Sequence, residues 1–341
     1  MNNVVTIKDI AKKTGVSETT VSLSFQEGSR ISSSTRKKVL KVAQELNYVR
    51  NTVAQNLRGG RTHTLGFIVN DINDSFYNTM SRIASNIANQ RGFQLIYAET
   101  NWSPEKAIEV TKTMIAKRVE GILLSLCEKE TVSLDLIEHT NTPYIVVDTV
   151  PDFYRGPYVI NNEITMGQIA GGHLISQGCK RVAFFNAAKH MSDFSAFRLQ
   201  LRGLKMVLEN ANIPFGEEDI FYAGITIKEG AEAFKNLVGK GIEYDGILCV
   251  NDYVAYGVME EAEKKSLTIG KDIALIGIDN LEYSGLRRIS LTSVNIDYEK
   301  MTSIAMTELI DMIENGRCSS VRQIIEPTLV IRDSSKLAKH V

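Results

Sequence analysis

Two kinds of position in this sequence carry side chains suited to chemistry. The first is the end of an apolar run: Asp71 follows TLGFIVN, Asp148 closes YIVVD, Asn251 and Asp252 close GILCVND, and Asp279 closes ALIGID. Carboxylates and amides in such places can hydrogen-bond a ligand or do acid–base work, but no pairing among them is legible from the sequence. The second is a helical stretch, SETTVSLSF, with Glu18, Thr19, Thr20, Ser22 and Leu23 on one side. Short polar side chains at the start of a helix suit base edges and phosphates in a major groove, where the backbone must come close. Signatures of catalysis are missing: there is no phosphate loop and no GxSxG, and His63, His139, His173, His190 and His340 are scattered. Cys127, Cys179, Cys249 and Cys318 lie far apart, with neither CxxC spacing nor a nearby histidine pair. An enzyme is not expected, nor a metal or cofactor, and the thiols are expected to be reduced.

The polar helix belongs to a basic head. Thr6 can cap a helix over 7–13, where Ile7, Ile10 and Ala11 share a face. Gly15 supplies a turn, and Ser17 caps the second helix, whose Val21 and Phe25 point inward. Ser33 or Ser34 starts a third helix running through Asn47. Its core stripe is Val39, Val42, Ala43 and Leu46, with Arg36, Lys37, Lys38 and Lys41 on or beside the wet side. Residues 1–61 hold six lysines and five arginines against four acids, a net charge of +7, and since the whole chain carries -1 the remainder carries -8. A small basic head on an acidic body points to a polyanionic partner for the head, with a merely solvated basic face as the alternative.

The strand-end residues belong to the larger remainder of the 341-residue chain. Short apolar runs (TLGFIV, FQLIYAE, GILLSL, YIVVD) alternate with helical stretches such as FYNTMSRIASNIANQ and KAIEVTKTMIAK. A second set follows: RVAFFNA, DIFYAGI, GILCVND and ALIGID, with helices near 165–177, 198–211, 228–239 and 253–264. Such alternation implies doubly wound parallel sheets, here two lobes in series. Ligands of these sheets sit beyond the carboxyl ends of the strands, so a cleft between facing lobes is the expected binding site. The first residues show no signal segment and no apolar run approaches membrane-spanning length, which gives cytoplasm as the expected compartment.

The string TIKDIAKKTGVSETTVSLSF, then RISSSTRKKVLKVAQELNYVRN, then TVAQNLRGGRTHTLGFIV resembles the LacI/GalR (lactose-repressor) family in order and spacing. The resemblance implies a helix-turn-helix domain at 1–50, a hinge helix and linker at 51–61, and an effector-binding and dimerisation body at 62–333. Glu18, Thr19 and Leu23 fall where the family reads operator bases. Leu23 departs from the commoner Arg; an apolar side chain can meet a thymine methyl but cannot make Arg's bidentate contact to guanine. Thr6, Ser17, Thr20, Ser22, Ser32, Thr35, Tyr48 and Asn51 match phosphate-touching places, with helix capping as the alternative for Thr6, Ser17 and Ser32. In the hinge, Ala54 and Leu57 match the minor-groove residues. Leu57 corresponds to the leucine wedged between central base pairs, ordinary helix packing being its alternative.

The body resembles the same family, and through it the periplasmic sugar-binding proteins, in NNEITMGQIAGGHLISQGCKRVAFF, DGILCVND, ALIGIDN and EPTLVIRDSS. This implies lobe 1 at about 62–161 and 291–322, lobe 2 at about 162–290 and 323–333, chain crossings near 161, 290 and 323, and a tail from 334. Asp279 matches the carboxylate that accepts hydrogen bonds from ligand hydroxyls, Asn251 the ligand amide, and Asp252 a partly structural neighbour. Phe76 matches an aromatic at the cleft mouth, with core packing as the alternative. Tyr298 is placed to stack on a sugar face or to pack, and Asp71 and Asp148 are further candidates. The family's cleft arginine is replaced by Gln200, Arg198 or Arg202 being candidates to take over its role, and Ile225 stands where many members have an aromatic. The implied function is a homodimeric repressor of a palindromic operator, released by a carbohydrate-like effector. Control by a protein or phosphorylated co-effector is the alternative, and a transport-type binding protein the remote one.

Overall fold

The computed structural model describes residues 5–26, 28–49, 61–127, 131–151, 154–241 and 243–337. The chain divides into two compact units, Met1–Thr62 and His63–Val341. The expected hinge residues Asn51, Ala54 and Leu57 lie outside the described residues.

Among its described residues the smaller unit holds three helices, Ile7–Thr14, Glu18–Ser24 and Ser33–Glu45. Gly15 ends the first in the left-handed region (φ 72°), which turns the chain sharply enough for the second to start three residues later. Ile10, Ala11, Val21, Val39 and Ala43 form one buried cluster, flanked by Ile7, Val16, Phe25, Val42, Leu46 and Tyr48. These include every inward residue expected from the helical period. Arg36, expected on the wet side, is partly diverted inward: its Nε donates to the carbonyl of Ser24 at 3.0 Å, tying the third helix to the end of the second.

The larger unit contains two six-stranded sheets. Lobe 1 is built on β1 (Thr64–Val69), β2 (Gln94–Glu99), β3 (Gly121–Ser125), β4 (Tyr144–Asp148) and β5 (Tyr158–Asn161), with β11 (Arg322–Ile325) returning late in the chain. Lobe 2 is built on β6 (Val182–Asn186), β7 (Ile220–Tyr222), β8 (Gly246–Cys249), β9 (Ala274–Asp279), β10 (Thr292–Asn295) and β12 (Thr328–Val330). The orders are β11-β5-β4-β3-β1-β2 and β12-β10-β9-β8-β6-β7. Every pairing is parallel except β10 with β12. Each sheet therefore reverses direction at its first strand, between β1 and β3 or between β6 and β8, and such a switch point opens a crevice at the carboxyl ends. No helix among the described residues is long and apolar enough to cross a membrane.

Two of the expected crossings and the expected tail shift by a few residues. Thr292–Asn295 still pairs with β9, so the second crossing follows residue 295 instead of lying near 290. Arg322–Ile325 pairs with β5, which moves the third crossing beyond 325. The segment at 334 is not a free tail: Ser334 and Ser335 are buried. Ser334 Oγ donates to the Leu275 carbonyl at 2.7 Å, and Ser335 Oγ lies 2.8 Å from His173 Nε2, a core histidine whose pKa burial lowers.

The helices Glu163–Ser176 and Ser195–Asn210 of lobe 2 touch backbone to backbone: a Cβ on Gly203 would collide with the carbonyl of Ile164. This close approach fixes Gln200, one turn before Gly203, against the start of its neighbour helix. Gly203→Ala is expected to force the helices apart and cost roughly 1–3 kcal/mol, the range for overpacking. Chemical denaturation checks this, and an unchanged midpoint would contradict the packing.

Candidate functional site

On the smaller unit, Glu18, Thr19 and Leu23 all face solvent, Leu23 at 36% exposure despite its apolar side chain. The helix beneath them is held by Ser17, whose Oγ accepts from the Thr20 backbone N–H at 3.1 Å and lies 2.9 Å from Thr20 Oγ1. Ser32 does the same for the third helix, accepting from the Thr35 N–H at 3.2 Å. Thr6 acts through Asp9, whose carboxylate accepts from both the Thr6 N–H (2.8 Å) and hydroxyl (2.7 Å) and is held below the usual aspartate pKa by them. The capping alternative therefore holds for all three residues. Ser22, Thr35 and Tyr48 are half-buried, Tyr48 with its ring 5.7 Å from that of Phe25.

In the larger unit, the carboxyl ends of both sheets face one cavity of about 50 Å³. Its wall combines Asp74, Phe76, Tyr77, Trp102, Asp148 and Asn161 from lobe 1 or its crossing with Glu163, Phe197, Gln200, Ile225, Asn251 and Asp279 from lobe 2. It opens into an outer mouth of about 380 Å³ lined by Asp71, Asn73, Ile227, Lys228 and Tyr253. The inner cavity is well below the roughly 300 Å³ of an ordinary small-molecule site, so a ligand must part the lobes or move side chains. Two contacts now hold the lobes together there. Ser75 Oγ donates to Asp279 across the cleft at 3.3 Å, and the Trp102 ring packs on Phe194 and Phe197 at 4.8 and 6.1 Å.

The backbone is strained where these groups are presented. Asp148 has φ 80°, Asp279 φ 105° and Trp102 φ 58°, a region that side chains with a Cβ avoid at a cost of about 1–3 kcal/mol each. Such outliers persist only where surrounding structure fixes them. For Asp148 that structure is a buried network: Tyr77 Oη donates to it at 2.8 Å, Ser125 Oγ at 3.3 Å, and Asn70 Nδ2 donates to both Tyr77 and Ser125 at 3.0 Å. Burial, then the charge of Asp148, raises the Tyr77 pKa well above its usual value, so this phenol remains a donor.

The expected residues divide into groups. Phe76, Asp148, Gln200, Asn251 and Asp279 line the inner cavity, whereas Asp71 sits at the mouth, its Oδ1 turned back to the Asn73 N–H at 2.8 Å. Asn251 caps the Asp252–Lys264 helix through its Oδ1, which accepts from the Val254 N–H at 2.8 Å, and donates from Nδ2 to the Ile225 carbonyl at 2.9 Å. Asp252 is turned away from the cavity and fully engaged by Ser284 (2.5 Å), Ser293 (2.6 Å) and the Leu281 N–H (2.8 Å). Tyr298 stands behind Phe76 with ring centroids 5.6 Å apart and packs instead of lining the cavity. Arg198 is exposed and donates to Ser195 Oγ at 3.2 Å, and Arg202 is exposed as well; neither takes the place of the expected cleft arginine.

The polar and aromatic contributors missed by sequence reasoning include Asp74, Tyr77, Trp102, Asn161 and Glu163. Gln200 Nε2 donates to Glu163 Oε2 at 2.8 Å, which fixes the amide so that its oxygen faces away from the carboxylate. That Gln200 Oε1, together with Asn161 Nδ2 and Trp102 Nε1, is buried without a hydrogen-bond partner. Gln200 is 5% and Asn161 4% exposed. Buried polar atoms are ordinarily satisfied, and leaving one unmade costs about 1–3 kcal/mol, so orphans gathered around one cavity point to a polar occupant.

A family profile described as bacterial regulatory proteins, lacI family, matches residues 6–51, and one described as a periplasmic binding protein-like domain matches residues 172–335. The HTH-type transcriptional repressor PurR of Actinobacillus pleuropneumoniae serotype 3 is 28% identical over 333 residues, covering 97% of this chain and 98% of that protein. The ribose operon repressor of Escherichia coli K12 is 27% identical over 338 residues, covering 97% of this chain and 100% of its own. Among solved structures, the lac repressor dimer bound to operator and the anti-inducer ONPF superposes with a TM-score of 0.84 at 25% identity, covering 98% of this chain and 99% of that one.

Burial, reinforced by the charge of Asp71, pushes the Asp74 carboxyl up to about 6. A folded-state value above the unfolded one means that the folded protein binds the extra proton between about pH 4 and pH 6, so this group's effect on stability worsens as pH rises through that window. His173 acts in the opposite direction, its pKa being lowered by burial. The comparison with Asp74→Asn isolates the aspartate, because Asn is an equally good cap for the Ser75–Gln90 helix. The variant is expected to gain in Tm over the wild type on going from about pH 5 to about pH 7. A difference that is flat or shrinks across that range contradicts the burial of this charge.

Proposed function

Because the chain belongs to the lacI family of bacterial regulatory proteins, we propose that it is a transcriptional repressor that binds a palindromic operator as a homodimer and releases it when a small hydroxylated effector enters the interlobe cleft. It is a regulator, not an enzyme, and its compartment is the cytoplasm, where its operator is. The observation that carries the reading is the second helix of the basic unit, which presents Glu18, Thr19 and Leu23 to solvent while Ser17 and the core residue Val21 anchor its other side. A helix of this kind enters a major groove with its first residues at the base edges, and two-fold symmetry of the protein mirrors the palindrome.

Thr6, Ser17, Thr20, Ser22, Ser32, Thr35, Tyr48 and Asn51 hold phosphates in this reading. The capping hydroxyls of Ser17 and Ser32 remain suitable, since each can donate a proton while its oxygen accepts a backbone N–H, whereas that of Thr6 must turn from the Asp9 carboxylate to a phosphate. Ala54 and Leu57 enter the minor groove, Leu57 as the wedge that kinks the duplex. The names of the relatives, repressors of a ribose operon and of the PurR type, support small-molecule control without identifying the molecule. Support for the cleft as the effector site comes from Gln200 Oε1, Asn161 Nδ2 and Trp102 Nε1, which an occupant would satisfy. Coupling between effector and operator is then reciprocal: whatever weakens the second on binding the first is weakened in turn.

The test is selection of high-affinity sites from a random duplex pool with the full-length protein, followed by affinities for single-base variants. A palindromic consensus is expected. Leu23→Arg is expected to move the preference at one position of each half-site toward guanine, a bidentate contact of about 1–3 kcal/mol or roughly 5- to 150-fold in discrimination. Selection of no consensus, or an unchanged preference in Leu23→Arg, overturns the assignment of this helix.

A further inference from the structure

Resting on the reading of the cleft as an effector site, the geometry points to an effector whose buried end is a protonated amine, flanked by hydroxyl groups and carrying no phosphate or carboxylate. The charges lining the inner cavity are all of one sign, Asp74, Asp148, Glu163 and Asp279, with no lysine, arginine or histidine among the described residues of its lining. Lys228 is the one basic residue among the described residues that line the outer mouth. Carboxylates withdrawn from water need a counter-charge or a dense set of donors, since their mutual repulsion is no longer screened. Asp148 has donors in Tyr77 and Ser125, and Glu163 has Gln200. Asp279, facing Asp74 from the other lobe, accepts from Ser75 at a long 3.3 Å. Burial, then the charges of Asp74 and Asp252, drives the Asp279 carboxyl well above its ordinary pKa, against the smaller opposing pull of the Ser75 and Tyr298 hydroxyls, and no cation stands among the causes.

The hydrogen-bond inventory leads to the same chemistry. Where the family resemblance predicts an arginine, a five-donor cation, this chain has Gln200, a neutral amide whose nitrogen is held on Glu163 and whose unpartnered atom is an acceptor. The cavity thus offers acceptors from Asp74, Asp279 and Gln200 against donors from Asn161 and Trp102. An ammonium group supplies three donors, no acceptor and the missing positive charge. Hydroxyls beside it serve Asn161 and Trp102, because a hydroxyl accepts as well as donates. A phosphate or carboxylate reverses every term, bringing acceptors to acceptors and negative charge to negative charge. The amine end enters first, since the inner cavity is the acidic one, and the remainder of the molecule extends toward Ile227, Lys228 and Tyr253 at the mouth.

The experiment is a thermal-shift and calorimetric comparison on the full-length protein with matched probes at millimolar concentration. Glucosamine, galactosamine and mannosamine are each set beside the parent hexose, the N-acetyl derivative and the hexose 6-phosphate. At least one amine is expected to bind, with its neutral and N-acetyl counterparts weaker by about tenfold or more, the scale of one hydrogen bond to a charged group. Asp279→Asn is expected to erase that preference, while keeping the shape of the site. The inference is overturned if none of the amines binds, or if a parent hexose, an N-acetyl sugar or a phosphate binds as tightly as its amine. A neutral or phosphorylated sugar that binds and weakens operator affinity leaves the repressor reading standing and removes only the amine. Loss of the repressor reading shows separately, as the absence of any selected operator.

Discussion

Acidic side chains gathered round one small cavity, with no cation beside them among the described residues, are the constraint around which the larger unit is organised. Asp74 at the start of a lobe 1 helix and Asp279 at the end of a lobe 2 strand line the same small cavity, and both are pushed toward protonation by burial. A fold built only for stability would remove such a pair or place a cation between them, because desolvating an unpaired charge costs several kcal/mol. Here the surroundings maintain it. The closed cleft rests on Ser75 reaching Asp279 and on the Trp102 ring against Phe194 and Phe197, contacts that join two rigid sheets without filling the space between them. A cavity that is acidic, strained and incompletely hydrogen-bonded is one whose occupation changes the balance between the lobes.

The rest of the architecture supplies the rigidity this needs. Two sheets with the same strand order point their carboxyl ends at one another, so the loops after β1, β4, β8 and β9 converge with no side chain having to travel far. Gly203 lets two helices of lobe 2 meet at backbone distance, which locks Gln200 onto Glu163 and leaves its oxygen bare. Asp252, buried beneath the same loops, binds the segment after β9 through Leu281 and Ser284 and so supports the left-handed turn at Asp279. The smaller unit uses the same logic on a smaller scale, with capping hydroxyls and a five-residue core fixing a helix whose outer face is left for a partner.

Much of this was legible in the sequence because periodicity and strand ends are local signals. Ile10, Val21 and Val39 announce their helices by spacing, and Asp148, Asn251 and Asp279 announce the cleft by closing apolar runs. Asp252 also ends such a run, yet the turn of the chain sends it into the interior, which no local pattern records. Arg198 was misplaced for a geometric reason: two residues along a helix is about 200° around it, so when Gln200 faces the cavity Arg198 faces water. Trp102 and Asn161 were invisible because one lies in a loop and the other at a lobe crossing, where position depends on the packing of both sheets. A signal was nonetheless present, since Asn161, Asn162 and Glu163 form a polar run directly after the short YVI stretch, the same strand-end pattern in a strand too short to recognise. The late strands β10, β11 and β12 escaped for the same reason, and with them the true crossing points.

The central claim, that the DNA-reading unit and the cleft are coupled, has a built-in reporter. The chain has a single tryptophan, Trp102, and it lies in the cleft with its indole packed at a tilt against the Phe194 ring of the other lobe. Its emission should be recorded while the selected operator duplex is titrated into the full-length protein, with a shuffled duplex of equal length as control. The account predicts a saturable change with the operator at the stoichiometry of one duplex per dimer and none with the control, because operator binding must shift the equilibrium between cleft states. Identical Trp102 emission with both duplexes, under conditions where operator binding is complete, would contradict it.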